Sequence, residues 1–158
     1  KLIRTEDAVG QVLCHDITQI IPGQFKGARF RKGTDADVLV HAVIDALLGA
    51  AGLKDIGTYF PDTDASFTNI SSLILLRKVR QILIENSCRV INVDVTLLAQ
   101  QPKIKPYVAQ MTANLADALQ IDPAAVSVKA TTTEHLGFVG RQEGMAAQAA
   151  AMVIKYRN

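Results

Sequence analysis

Apolar and polar positions change period several times along the 158-residue chain, and each change predicts an element. Residues 9–13 and 17–21 read as short strands, broken by Pro22-Gly23 and Lys26-Gly27. From Thr34 the period becomes helical. Val38, Ile44, Leu47, Leu48 and Ala51 share a face, Thr34 and Asp37 form a capping pair, and Gly52 supplies the stop, which predicts a helix over 34–51. A loop over 55–64 follows, then a helix over 71–86 with Leu73, Leu76, Val79 and Leu83 on one face. Residues 90–97 alternate Asn92, Asp94 and Thr96 with Ile91, Val93, Val95 and Leu97, a strand with one polar face. Residues 101–106 read as a loop whose Pro106 opens a helix over 106–120, and 126–130 as a short strand. The tail is two-sided: its alanines favour helix, yet Met145, Ala147, Ala149, Ala151 and Val153 also fit a period of two. Three amphipathic helices alternating with strands predict an α+β fold, a mixed sheet covered by helices on one face. The polar face of 90–97 should then point to an interface or a cavity.

Composition narrows the class. Hydrophobic residues make up 49% and charged residues 20%, which predicts one globular domain and excludes disorder. A net charge of +2 is too balanced for bulk attraction to nucleic acid, and no apolar run is long enough to span a membrane. Cys14 and Cys88 have neither metal nor redox spacing and read as buried thiols in a cytoplasmic protein. No signal segment opens the chain, and Lys1 in place of an initiator Met suggests trimming.

Three segments carry candidate chemistry. His41 lies one helical turn from both Asp37 and Asp45, which suits a metal-bound imidazole with carboxylate neighbours and equally a half-buried histidine tied to its own helix. The Phe60-Pro61-Asp62-Thr63-Asp64 turn offers carboxylates and a hydroxyl to a cation or to sugar hydroxyls, and reads equally as an Asx turn. Lys129-Ala130-Thr131-Thr132-Thr133-Glu134 places three hydroxyls and a carboxylate at a strand end. With Lys103 and Arg141 it suggests a diphosphate site, although a threonine run also suits a plain strand. There is no Walker loop and no GxGxxG.

In this order the segments resemble the 2-C-methyl-D-erythritol 2,4-cyclodiphosphate synthase family from about residue 34 onward. The carriers are Thr34-Asp35-Ala36-Asp37-Val38 with His41, Asp45-Ala46-Leu47-Leu48-Gly49-Ala50, Asp55-Ile56-Gly57 with the turn at 60–64, Asn92-Val93-Asp94-Val95 and Gln100 with Pro102-Lys103. Most specific are the threonine run with Glu134, Leu136-Gly137-Phe138, Gly140-Arg141 and Glu143-Gly144. The resemblance implies cyclisation of 4-diphosphocytidyl-2-C-methyl-D-erythritol 2-phosphate with release of CMP, helped by zinc and by magnesium or manganese. It implies that His41 ligates zinc, Glu134 the second metal, and that Thr132 stabilises the transition state. It implies a cytidine and diphosphate pocket from Ala99-Gln100-Gln101-Pro102-Lys103-Ile104-Lys105 and Ala130-Thr131-Thr132-Thr133. Thr34, Asp55, Gly57, Phe60, Pro61, Asp62, Thr63 and Asp64 would hold the methylerythritol end, with Phe138 and Arg141 lining the rest. It also implies a cytoplasmic homotrimer with active sites between subunits, and a strand over 145–154.

The opening departs from that family. Residues 1–33 contain no Asp-x-His; His15-Asp16 is the local substitute, and adjacent strand residues face opposite ways. An incomplete zinc site and lowered activity are therefore expected. Residues 8–18 resemble the opening of a molybdopterin-binding protein, so the chain reads as a hybrid, with 1–33 foreign to a synthase-like domain. Two other readings stand beside the enzyme: an impaired hybrid that only binds cytidine nucleotides, and a molybdopterin-binding module.

Overall fold

The computed structural model describes residues 3–14 (backbone alone), 38–61, 63–67 and 70–156. Among these residues four strands form one sheet in the order β1-β4-β2-β3: β1 (Ile3–Cys14), β2 (Cys88–Leu98), β3 (Val126–Thr131) and β4 (Met145–Tyr156). β4 is antiparallel to β1 from Ile3↔Tyr156 to Cys14↔Met145, and antiparallel to β2 on its other side. β2 and β3 run parallel, so the chain must cross over between them, and helix α4 (Val108–Leu119) makes that crossing. Helix α1 (Val38–Ala50) packs on β1, β4 and β2, α3 (Ser72–Glu85) on β2, and α4 on β3. The sheet is mixed and carries its helices on one face, as the hydrophobic pattern predicts.

The core centres on α1, where ten of thirteen residues are buried. Such a helix must be covered nearly all round. Its remaining positions, His41, Asp45 and Gly49, are four residues apart and fall on one stripe. β4 buries Ala147, Ala149, Ala151 and Val153 while Gln148 and Ala150 face outward, so small side chains let α1 lie close to the sheet. Pairing on both edges overrides the helical preference of this alanine-rich tail, and the strand extends past 154 to Tyr156.

Other boundaries shift. Residues 34–37, with the expected cap, and the strand at 17–21 lie outside the described residues, whereas 9–13 falls within β1. Pro106 sits in a 3-10 turn (Lys105–Tyr107) and does not open α4, because Tyr107 N–H closes onto the Ile104 carbonyl at 2.9 Å. The loop over 55–64 contains one helical turn, α2 (Ile56–Tyr59), and another, α5 (Gly137–Gly140), follows β3. Leu73 is half-buried and Leu75 is buried. A bulge between Val90 and Asn92 leaves Ile91 half-buried, and Val90 takes the core position. Asn92, Asp94 and Thr96 point away from the helix layer, and the buried Cys88 thiol donates to the Asn86 carbonyl at 3.4 Å. Among the described residues no helix is long and apolar enough to cross a membrane.

Candidate active site

The parallel pair β2–β3 delivers two loops to one end of the sheet, where open α/β sheets usually place ligands. Ala99 N–H donates to the Thr131 carbonyl at 3.0 Å, which adds one rung beyond the strands. The Gln100 side chain then reaches across: its Oε1 accepts from His135 N–H at 3.4 Å, and its Nε2 lies 3.5 Å from His135 Nε2. Residues 99–105 and 130–135 are thereby brought side by side. Gln101, Lys103 and Lys105 are exposed, Pro102 is half-buried, and Ile104 and Ala99 anchor the loop in the core. Ala130 and Thr131 are exposed beside them.

The segment after Thr131 is a tight turn held in an unusual conformation. Leu136 N–H donates to the Thr133 carbonyl at 2.8 Å, and the two residues between, Glu134 and His135, have φ of 50° and 64°. Two successive left-handed residues normally call for Asn or Gly, and each other residue costs on the order of 1–3 kcal/mol. Thr132 Oγ1 donates to Glu134 Oε1 at 2.7 Å, and Thr133 Oγ1 to the Leu136 carbonyl at 2.7 Å. The turn rests on α5 at Gly140, where a Cβ would fall 2.1 Å from the His135 carbonyl carbon. The result is a carboxylate and a hydroxyl fixed together on an exposed, rigid corner, a donor set that fits a hard divalent cation and a phosphoryl oxygen.

Arg141 follows α5 and is gripped by Glu143, Nε to Oε1 at 2.8 Å and Nη2 to Oε2 at 2.9 Å. That bidentate bond holds the Glu143 carboxyl below its ordinary range and the guanidinium above its own. Phe138 is exposed on α5.

A second group of residues gathers around α1. Asp45 Oδ1 accepts from Ile56 N–H at 3.0 Å, which ties the half-buried His41–Asp45 stripe to α2. Asp55 caps α2, accepting from Thr58 N–H at 2.8 Å and Thr58 Oγ1 at 2.9 Å; the hydroxyl and then the amide lower its pKa. Gly57 lies within α2 and is exposed. Phe60 is buried, with its ring edge-on to Phe67 at 5.3 Å, so it anchors this loop from below. Pro61 and Thr63 are exposed, and Asp64 accepts from Ser66 N–H at 2.9 Å, which lowers its pKa. His15, Asp16, Thr34, Asp37 and Asp62 lie outside the described residues. Among the described residues no three His, Cys, Asp or Glu converge as a metal cage.

Sequence reasoning misses two contacts of this geometry. The Gln100–His135 contact joins residues 35 apart and leaves no local trace. The Arg141–Glu143 pair does have a signal, opposite charges two residues apart after a glycine-flanked turn.

A model of the YgbB family matches residues 13–154. A 2-C-methyl-D-erythritol 2,4-cyclodiphosphate synthase of Thiobacillus denitrificans is 58% identical over 120 residues, 76% of this chain and 75% of that protein. The protein of that name from Desulfosudis oleivorans is 58% identical over 130 residues, 80% and 77% of the two chains. Among solved structures, the bifunctional IspDF of Campylobacter jejuni superposes with a TM-score of 0.89 at 35% identity. It covers 98% of this chain, which in turn spans 43% of that longer one. IspF of Plasmodium falciparum, in a CDP complex, gives 0.74 at 28% identity and covers 98% and 97% of the two chains.

Proposed function

The chain belongs to the YgbB family, and from that premise we propose that it cyclises 4-diphosphocytidyl-2-C-methyl-D-erythritol 2-phosphate to the 2,4-cyclodiphosphate, releasing CMP. The family match over residues 13–154 favours this enzyme over a molybdopterin-binding module. The observation that carries the residue assignment is the corner at which Thr132 and Glu134 are locked together beside the loop over 99–105.

The reaction is an in-line displacement at the β-phosphorus. A 2-phosphate oxygen forms a new P–O bond as the P–O bond to CMP breaks, and CMP departs with that electron pair. Little covalent work falls to the protein, so rate comes from positioning and from neutralising charge on the phosphoryl oxygens. The Thr132 hydroxyl is the donor to the oxygen whose charge grows, once the substrate draws it from Glu134. Glu134 would hold magnesium or manganese, and a divalent cation there would neutralise diphosphate charge. Residues 99–105 with Ala130, Thr131 and Thr133 take the cytidine and diphosphate, and Lys103 adds a cation. Asp55, Gly57 and residues 60–64 with Thr34 hold the methylerythritol end, and Phe138 and Arg141 close the remainder. His41 is a zinc ligand by type, yet a zinc site takes three or four protein ligands, and the described residues around it supply one imidazole. His15 or Asp16 would have to complete that site, and no step is routed through it.

We also infer that residues 1–158 act as one domain and assemble as a trimer, with each active site built from the 99–105 and 130–134 loops of one chain and the α1–α2 region of its neighbour. The experiment is an assay of CMP and cyclodiphosphate formation, with magnesium and with and without added zinc. Equimolar products support the proposal. Binding of CDP with no CMP released would leave only the impaired-hybrid reading.

A further inference from the structure

At the end of the sheet away from these loops, the last turn of α3, the start of β2 and the turn after α4 enclose a cleft of about 630 Å3. That volume lies within the roughly 300–1,000 Å3 of small-molecule sites. Its floor is the buried Leu83, Cys88, Val90 and Leu119, and Ile84 stands on its wall with 48% of its surface exposed. β2 spans eleven residues between this cleft and the candidate active site, about 35 Å.

The charge around this apolar floor is uneven. Arg80, one helical turn before Leu83 and Ile84, and Arg89 at the start of β2 both line the cleft. Among the described residues neither guanidinium group is hydrogen-bonded or ion-paired, whereas that of Arg77, one turn earlier, is bound to Asp117 at 2.9 Å. Among the described lining residues the one acid, Asp122, already accepts from Ala124 N–H at 2.8 Å. Two free guanidinium forks above an exposed isoleucine and a greasy floor match a molecule with an anionic head and an apolar chain.

We propose that this cleft binds a single-chain amphipathic anion, its chain on the Leu83–Leu119 floor and its carboxylate or phosphate head on Arg80 and Arg89. The test is a backbone-amide NMR titration of the full chain with octanoate, octyl phosphate below its micelle concentration, octanol and inorganic phosphate. Saturable shifts confined to residues 83–91 and 119–122 are expected with the octyl anions, with octanol at least tenfold weaker and inorganic phosphate without effect. Binding of one anion alone supports the proposal and identifies the head group. The Arg80→Gln/Arg89→Gln variant should keep its folded spectrum and bind at least tenfold more weakly, and Ile84→Ser should weaken both anions. Equal affinity for octanol, unchanged binding by the double arginine variant, or shifts only at 99–105 and 130–141 would overturn it.

Discussion

Thr132 gives its hydroxyl hydrogen to a carboxylate oxygen of its own turn at 2.7 Å, which fixes both groups before any phosphate arrives. Thr132→Ala removes that donor, and turnover should fall by about one to three decades while the melting temperature hardly moves. Unchanged turnover would show that the charge on the transferring phosphoryl group is met elsewhere. Asp55 allows a prediction about pH. Its carboxyl is held below the ordinary aspartate value of 3.8 by the Thr58 hydroxyl first and the Thr58 amide second. A folded value below the unfolded one means that the cap contributes fully above 3.8 and is lost as pH falls through the lowered value. In an acid titration the protection of the Thr58 amide, taken relative to its intrinsic exchange rate at each pH, should hold down to 3.8 and fall as pH drops through the lowered value, a step that Asp55→Asn should abolish. At this scale the meeting of Thr132 and Glu134 was legible because both lie in one short run of residues. The burial of the Phe60 ring against Phe67 was not, since a phenylalanine on a turn looks the same whether its ring is packed inward or exposed.

Helices α1, α3 and α4 and strand β2 follow from hydrophobic period alone, because each is long enough to repeat its pattern. The one-turn helices α2 and α5 have four residues each and no period to read; α2 depends on the Asp55 cap and the Asp45 bond across to Ile56 N–H. The tail shows the opposite limit, where local propensity favoured helix and pairing with two neighbouring strands decided for β4. Ile91 was misplaced because a bulge shifts the alternation by one residue and no residue type announces it. The contact between α5 and the Thr132–Glu134 corner is the element-scale feature on which the site depends. Gly140→Ala would set a methyl 2.1 Å from the His135 carbonyl carbon, which is backbone and cannot swing aside. The variant should lose on the order of 1–3 kcal/mol of stability and a larger share of turnover than of CDP binding, because the corner and not the 99–105 loop is displaced. Urea denaturation and a CDP titration would check this, and a variant as stable and active as the parent would contradict it.

One chain separates its candidate residues into two groups, the corner with the 99–105 loop and the stripe of His41 and Asp45 with α2. One face of the sheet is covered by helices; the other carries Asn92, Asp94 and Thr96, an ion pair from Lys129 to Asp94 at 2.6 Å, and Gln148. Among the described residues of one chain Asp94 Oδ1 has no hydrogen-bond partner, although the atom itself is out of contact with solvent. A buried acceptor without a donor is unfavourable, and a second copy on this face would remove that penalty. The proposed trimer therefore makes a prediction that stability measurements on one chain cannot mimic. His41→Ala should disable the α1–α2 half of each site and Lys103→Ala the nucleotide half, so each variant alone should be poorly active. If every site joins halves from two neighbouring chains, unfolding and refolding the two variants together restores intact sites wherever a Lys103→Ala chain supplies the first half and a His41→Ala chain the second. Random mixing makes that about a quarter of all sites, so activity should rise toward about a quarter of the parent value. Sites contained within single chains would gain nothing from mixing, and sedimentation of the mixture as monomers at micromolar concentration would remove the shared site altogether.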